Sequence, residues 1–301
     1  MKQGQKRLRL WAAIAGVLVI AAVLLYSLAP RQVTQTDFDM GSVRRLTVWR
    51  SGNLRLAPLP SYEAQAAAQP PPPPVEALIA ATGGAFDPYI GALVALWNID
   101  SKDGSPPRVP AQAEIDAALQ ERALDPGAYG KGLACDFVLQ ALGGDRRIRG
   151  GVLDLGGNIL TFGSKPFGAP FKVALRDPLG GANDTLGVFT LEGTHFLSTS
   201  GSYEKYFTQG GVRYHHIFDP KTGYPAARDP GLCSVTVLSD SGALGDALST
   251  ACFVLGYAQA GGLPWNDRGA LFLYEDGSIK ALGDIEQMFT ITNEKYHWVS
   301  E

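Results

Sequence analysis

The sequence predicts a mixed α+β domain behind one N-terminal transmembrane helix. Short apolar runs bounded by Gly and Pro recur at Gly151 to Leu155, Phe171 to Leu175, Gly187 to Leu191 and Ser234 to Leu238, and read as strands. Helical spacing appears at Lys131 to Leu142 and at Asp246 to Val254. Strands and helices alternate irregularly, which favours α+β over a doubly wound sheet. With 301 residues, 46% apolar and 18% charged, the chain has ample material for a packed core.

Residues 1–9 form a basic tail in which Lys2, Lys6, Arg7 and Arg9 have no acidic neighbour. Residues 10–29, LWAAIAGVLVIAAVLLYSLA, carry no charge. At ~1.5 Å rise per residue this run spans a hydrocarbon layer of ~30 Å, so it is expected to be a membrane anchor. The basic flank puts the N-terminus in the cytoplasm and the body across a bacterial inner membrane, in the periplasm or its extracytoplasmic equivalent. The rival reading is a cleaved signal peptide, whose apolar core would be shorter; Ser27-Leu28-Ala29-Pro30 is also a poor cleavage context.

Residues 30–40 are polar and read as a tether. Thr47-Val48-Trp49 reads as a strand, and Leu54-Arg55-Leu56 as the start of another. Residues 57–74 are Ala/Pro-rich and end in Pro70 to Pro74, which favours an extended spacer or loop. Val75, Leu78, Ile79 and Ala81 predict a helix stopped by Gly83-Gly84, and a second helix is expected from Pro110 to Leu119. Between 131 and 142 the apolar positions Leu133, Ala134, Phe137, Val138 and Leu142 share helical spacing before Gly143-Gly144. Leu271 to Tyr274 and Ser278 to Ala281 make a hairpin around Asp276-Gly277. There is no internal repeat and no P-loop.

The net charge of −3 includes four cations in the N-terminal tail, so the body is more acidic than the whole, which argues against a nucleic-acid partner. Cys135, Cys233 and Cys252 lack metal-like spacing and read as small buried apolar groups, although one pair could oxidise.

Several segments have the makings of a site. Tyr214 to Pro225 puts His215, His216, Asp219, Lys221 and Thr222 into a β-like run ending in Asp-Pro and Thr-Gly turn signals. Asp246 and Thr250 lie four apart in a helix and share a face; their oxygens are hard ligands suited to Mg²⁺, but Asp near a helix start is also an ordinary cap. Gly127-Ala128-Tyr129-Gly130-Lys131-Gly132 leads into a helix reaching Asp136; glycines there let backbone N–H groups approach an anion, or form a plain turn. Asp154-Leu155-Gly156-Gly157-Asn158 follows a strand and marks a ligand approach or a tight bend. Ser198 to Tyr203 offers a row of hydroxyls, or a polar turn.

Taken in order, these segments resemble the ApbE family of FAD:protein FMN transferases. The matching pieces are TGGAFDP (82–88), LVALW (93–97), GAYGKGLACD (127–136), DLGGN (154–158), FKVALRDP (171–178), TSGSYEKYF (199–207), HIFDPKTGYP (216–225) and GDALSTACFVLG (245–256). The resemblance covers roughly residues 76–257 and makes 41–301 the expected flavin transferase domain. It implies Mg²⁺-dependent transfer of the FMN half of FAD to a Thr or Ser hydroxyl, with release of AMP. The implied acceptor is a flavoprotein subunit of a membrane redox complex of the Nqr or Rnf kind. It also implies Asp246, Thr250 and a backbone carbonyl at Ala128 as metal ligands, and His216 as base or acceptor orienter. His215 is expected on the opposite strand face. Lys131, Asp154, Thr199, Ser200, Gly201 and Thr222 are implied to line the flavin and pyrophosphate site. Relatives carry a longer segment before TGGAFDP; here 39 residues separate Ser42 from Thr82. FAD hydrolysis to FMN and AMP, or flavin binding without turnover, are the alternative functions.

Overall fold

The computed structural model describes residues 11, 14–21, 23, 30–51, 56, 61, 75–100, 104–263, 265 and 268–299. Its strands are β1 (Arg31–Asp39), β2 (Ser42–Arg50), β3 (Ile148–Leu155), β4 (Asn158–Gly163), β5 (Phe171–Arg176), β6 (Thr185–Leu191), β7 (His195–Gly201), β8 (Tyr206–Gln209), β9 (Val212–His215), β10 (Leu232–Ser239), β11 (Gly269–Tyr274), β12 (Ser278–Gly283), β13 (Phe289–Ile291) and β14 (His297–Trp298). The helices in the body are α1 (Val75–Ala81), α2 (Gly91–Trp97), α3 (Gln112–Gln120), α4 (Gly130–Gly143) and α5 (Gly242–Ala260).

A nine-stranded sheet runs β1-β2-β3-β4-β7-β10-β11-β12-β14, antiparallel except for the β12–β14 pair. Ala134, Cys135 and Val138 of α4 pack on Leu46, Val48, Leu153 and Leu160, and Ala247, Ala251 and Val254 of α5 pack on Val235, Val237 and Phe272. The smaller sheet β13-β6-β5 covers the other face, with Phe171, Phe189 and Leu191 against Leu197, Leu238, Leu271 and Leu273. The result is three layers. Strand β10, covered on both sides, is buried at every position, and the sequence reads its Ser234 to Leu238 part as a strand.

Helix α5 extends well past the segment its spacing predicted, because a break at Gly256 (φ 71°, ψ 169°) does not end it. There Asp229 Oδ2 accepts the Tyr257 N–H (2.8 Å) and the Tyr274 hydroxyl (2.8 Å), which restarts the helical turn.

Several expectations are corrected. Residues 31–39 are no tether: they form β1, paired with β2 throughout, and the two-residue turn Met40-Gly41 between them has φ of 51° and 70°. Arg31, Val33, Gln35 and Asp37 alternate on the half-buried face of β1 while Gln32, Thr34, Thr36 and Phe38 are exposed, and a turn with both residues at positive φ matches strand twist. The hydroxyl row at 198–201 belongs to strand β7, not to a turn, and Asn158–Gly163 is a strand as well. The expected strand start at 54–55 and nearly all of the 57–74 spacer lie outside the described residues, as does much of the 10–29 anchor. Within that anchor, residues 11, 14–21 and 23 are helical, yet among the described residues no helix is long and apolar enough to cross a membrane. The three cysteines are buried and free of disulfides.

The N-terminal turns of α4 and α5 meet at two glycines. A Cβ on Gly132 would lie 2.1 Å from the Gly242 carbonyl oxygen, and one on Gly242 would lie 2.0 Å from that of Gly132. Backbone cannot yield there as a side-chain tip can, so Gly132→Ala is expected to destabilise by at least the ~1–3 kcal/mol of ordinary overpacking. Gly144→Ala, on a helical backbone with open space around it, is the control. Denaturant midpoints that do not separate these two variants would refute the close-packed junction.

Candidate active site

The site forms where the helix pair meets the sheet. Both helices begin there, and each carries a carboxylate that caps the other. Asp246 Oδ2 accepts the Gly132 N–H (2.9 Å), while Asp136 accepts the N–H groups of Gly242 (2.8 Å) and Ala243 (2.9 Å). Asn158 Nδ2 donates to the other Asp246 oxygen at 3.3 Å. Burial pushes the Asp246 carboxyl up; Lys131 is the main charge acting against that push, helped by the two hydrogen bonds.

A cavity of about 160 Å³ opens beside this carboxylate. Ala128, Lys131, Thr199, Ser200, Gly201, His216, Asp246 and Thr250 all line it, so eight of the sequence-predicted positions converge. Lys131 Nζ is held by the Gly156 carbonyl (3.0 Å). Ser200 Oγ sits 2.8 Å from Ser249 Oγ and 3.2 Å from Thr250 Oγ1, tying β7 to α5. Asp87, Asp125, Glu204 and Lys205 also line the cavity and were not singled out in the sequence. Asp87 lies within the TGGAFDP segment and Glu204 and Lys205 within TSGSYEKYF, while Asp125 is marked only by the Asp-Pro pair at 125–126.

A larger cavity of about 590 Å³ lies between the two sheets and shares Gly156, Thr199 and Glu204 with the first. Asp154 faces this second cavity with Arg45 and Tyr203. Its carboxyl is pushed up by burial, against Arg45 and the Gly156 N–H. Thr199 Oγ1 lies 2.9 Å from Thr236 Oγ1 on the shared wall. Thr222 is the exception among the predicted positions: it is exposed, lines neither cavity, and accepts the Tyr224 N–H at 3.3 Å. Its hydroxyl closes the 219–224 turn, as Thr often does beside Gly.

That turn is anchored by Trp97, whose Nε1–H donates to the Gly223 carbonyl (2.9 Å) and whose ring packs on Tyr214, Phe218 and Tyr224. The two histidines at its start differ. His215 is buried away from the cavity, with Nε2–H donated to the Ala226 carbonyl (3.0 Å) and Nδ1 accepting the Ile217 N–H (3.3 Å). His216 faces the cavity; its Nδ1 lies 3.3 Å from the Lys205 carbonyl, which assigns the proton to Nδ1 and leaves Nε2 with a free lone pair. Burial holds both well below the usual imidazole value, at about 4, with the Lys205 charge adding to the effect at His216.

For His215 this has a stability consequence. Its folded pKa lies below the unfolded ~6.5, so between those values the unfolded chain binds more protons. Stability is therefore complete above pH ~6.5 and falls as the pH drops toward 4, by up to about 3 kcal/mol from this group. His215→Gln is expected to flatten that part of a stability-against-pH curve; an unchanged slope would contradict the assignment.

Such an arrangement sets two adjoining cavities into a layered α+β scaffold, with a hard-oxygen pair, a lysine and a neutral imidazole at one end. The family model described as the ApbE family matches residues 75–269, and the chain belongs to that family. A Treponema pallidum protein named FAD:protein FMN transferase is 32% identical, across 71% of this chain and 67% of its own length. A Rhodobacter capsulatus protein of the same name is 36% identical, across 66% of this chain and 40% of its own length. Among solved structures, the ApbE protein of Thermotoga maritima aligns with a TM-score of 0.66 at 26% identity, covering 86% of this chain and 99% of its own. The apo flavinyl transferase ApbE of Pseudomonas stutzeri gives 0.64 at 26% identity, covering 87% of this chain and 94% of its own.

Proposed function

We propose that this chain transfers the FMN half of FAD to a Thr or Ser hydroxyl of an acceptor protein, releasing AMP. The observation that carries this reading is the convergence of Lys131, Ser200, His216, Asp246 and Thr250 on one cavity. Membership of a family whose curated relatives bear that name supports it.

The acceptor oxygen attacks the phosphorus of the FMN half, and the bond to the bridging oxygen breaks. That oxygen leaves with its electron pair as part of AMP. The acceptor hydroxyl is a weak nucleophile, so its proton must be taken up in the transition state. His216 Nε2, unprotonated at working pH, receives it. The Lys131 ammonium offsets negative charge developing on the phosphoryl and leaving oxygens.

The residues also fit a Mg²⁺ ion. Gly132 N–H, in the first helical turn and so without an intrahelical acceptor, is donated to Asp246. Ala128, the Asp246 carboxylate and the Thr250 hydroxyl line one cavity, where a backbone carbonyl and two side-chain oxygens would make an all-oxygen donor set. Among the described residues there is no cluster of three His, Cys, Asp or Glu side chains, so a metal here would rely on hydroxyl, backbone and substrate oxygens beside the one carboxylate. When bound, Mg²⁺ would neutralise phosphate charge there.

The second cavity gives a dinucleotide room beyond the pyrophosphate, with Asp154 and Thr199 on its walls. The apolar run at 10–29 behind basic residues supports an inner-membrane anchor with the body extracytoplasmic, beside a membrane redox acceptor of the Nqr or Rnf kind. The test is incubation of the full chain with FAD, Mg²⁺ and such an acceptor subunit. A fluorescent acceptor band with matching AMP is expected; AMP without a band would indicate FAD hydrolysis, and neither product would leave a flavin-binding protein.

A further inference from the structure

We infer that Asp136 is a positioning residue that sets the metal-binding geometry of Asp246 and Thr250 from the opposite helix. The inference rests on the Mg²⁺ reading above. Asp136 touches neither cavity and has no direct part in the chemistry. Its two oxygens accept the first two N–H groups of α5, from Gly242 and Ala243, at 2.8 and 2.9 Å. These donors belong to the turn that leads into Asp246 and, one turn later, Thr250.

The same helix is already capped from within its own chain segment, since Ser241 Oγ accepts the Leu244 N–H at 3.3 Å. Ser241 leaves the Gly242 and Ala243 N–H groups without acceptors in their own helix, and Asp136 satisfies both from another helix. What it adds is registry. Asp246 fixes the start of α4 through Gly132, and Asp136 fixes the start of α5, so the two helix ends are latched in both directions. The Gly132–Gly242 backbone contact leaves no room for the latch to close in another register. Lys131 and the Ala128 carbonyl lie on the α4 side of this latch, and Asp246 and Thr250 on the α5 side. The distance between the two halves of the donor set is therefore set by Asp136.

An amide at this position could accept only one of the two N–H groups and would present its own NH₂ to the other. Loss of a residue that holds metal ligands in place typically weakens metal affinity by ~10–100-fold. The experiment titrates Mn²⁺ onto the full chain without FAD, reading free Mn²⁺ by electron paramagnetic resonance, and in parallel measures the Mg²⁺ concentration for half-maximal flavin transfer. Asp136→Asn is expected to raise both by about tenfold or more, with a smaller loss of turnover at saturating Mg²⁺. Asp229→Asn, which removes a carboxylate cap from the far end of the same helix, is expected to leave both values unchanged. Should Asp136→Asn fail to fold, Asp136→Glu keeps the charge on a longer arm and is expected to shift the same two values.

Unchanged metal dependence in a folded Asp136 variant would overturn the inference. So would an equal shift in Asp229→Asn, because a general loosening of α5 would then suffice. If the unsubstituted chain bound no Mn²⁺ and its transfer ignored added Mg²⁺, the metal reading beneath it would fall first, a result distinguishable from either.

Discussion

Asp246→Asn is expected to yield a folded protein of undiminished stability whose flavin transfer is lower by about a thousandfold, at the upper end of what loss of one transition-state electrostatic contact costs. The stability half follows from the local hydrogen bonds. The amide oxygen keeps the Gly132 N–H, and the amide nitrogen needs a new acceptor. Asn158 Oδ1 is buried there without a partner, so turning over the Asn158 amide supplies one. Hydrogen bonds are exchanged one for one, and a buried carboxylate whose ionisation burial disfavours is removed, so the net change should stay within ~1 kcal/mol. Thermal midpoints and transfer rates measured together check both halves. Turnover within tenfold of the original would remove Asp246 from the metal site, and a large loss of stability would refute the hydrogen-bond exchange.

His216→Ala is expected to lower kcat by ~10²–10⁴, the usual contribution of a positioned general base. The pH profile separates this role from simple packing. Burial and the Lys205 charge hold the His216 ring down to about 4, so it is neutral across the ordinary working range. The kcat/KM profile should therefore be level through pH 6.5 and fall only in more acidic solution, as the ring gains a proton and stops accepting one. A limb centred at the ordinary imidazole value would mean that His216 is solvated during turnover.

Much of this site could be read from the chain alone because its chemistry sits at local signals. Asp246 and Thr250 share a helix face by spacing, and α4 shows its apolar stripe between Leu133 and Leu142. What was hidden depends on partners distant in sequence. The Asp136–Gly242 and Asp246–Gly132 bonds join positions more than a hundred residues apart, and no local pattern marks them. Strand β7 resembled a polar turn because its hydroxyls are buried by pairing with Thr236 and Ser249, which composition does not record. β1 resembled a tether because its half-buried face carries Arg31, Gln35 and Asp37 and only one apolar residue, Val33. Thr222 was placed in the site by its neighbours in the motif, but the turn it closes points its hydroxyl inward to its own backbone.

Strand β7 also has a consequence for how substrate preference can change. Ser198 and Ser200 project toward α5, whereas Leu197 and Thr199 project toward the small sheet, because successive side chains leave a strand on opposite sides. Neighbouring codons thus address different sides of the sheet, and a substitution at Thr236, which lines the inter-sheet cavity and not the other, can retune that compartment while the serines beside the helix stay fixed. Divergence in what is bound and conservation of how it is cleaved can proceed along one strand, provided no residue is inserted. A single insertion would exchange the two sets and forfeit both.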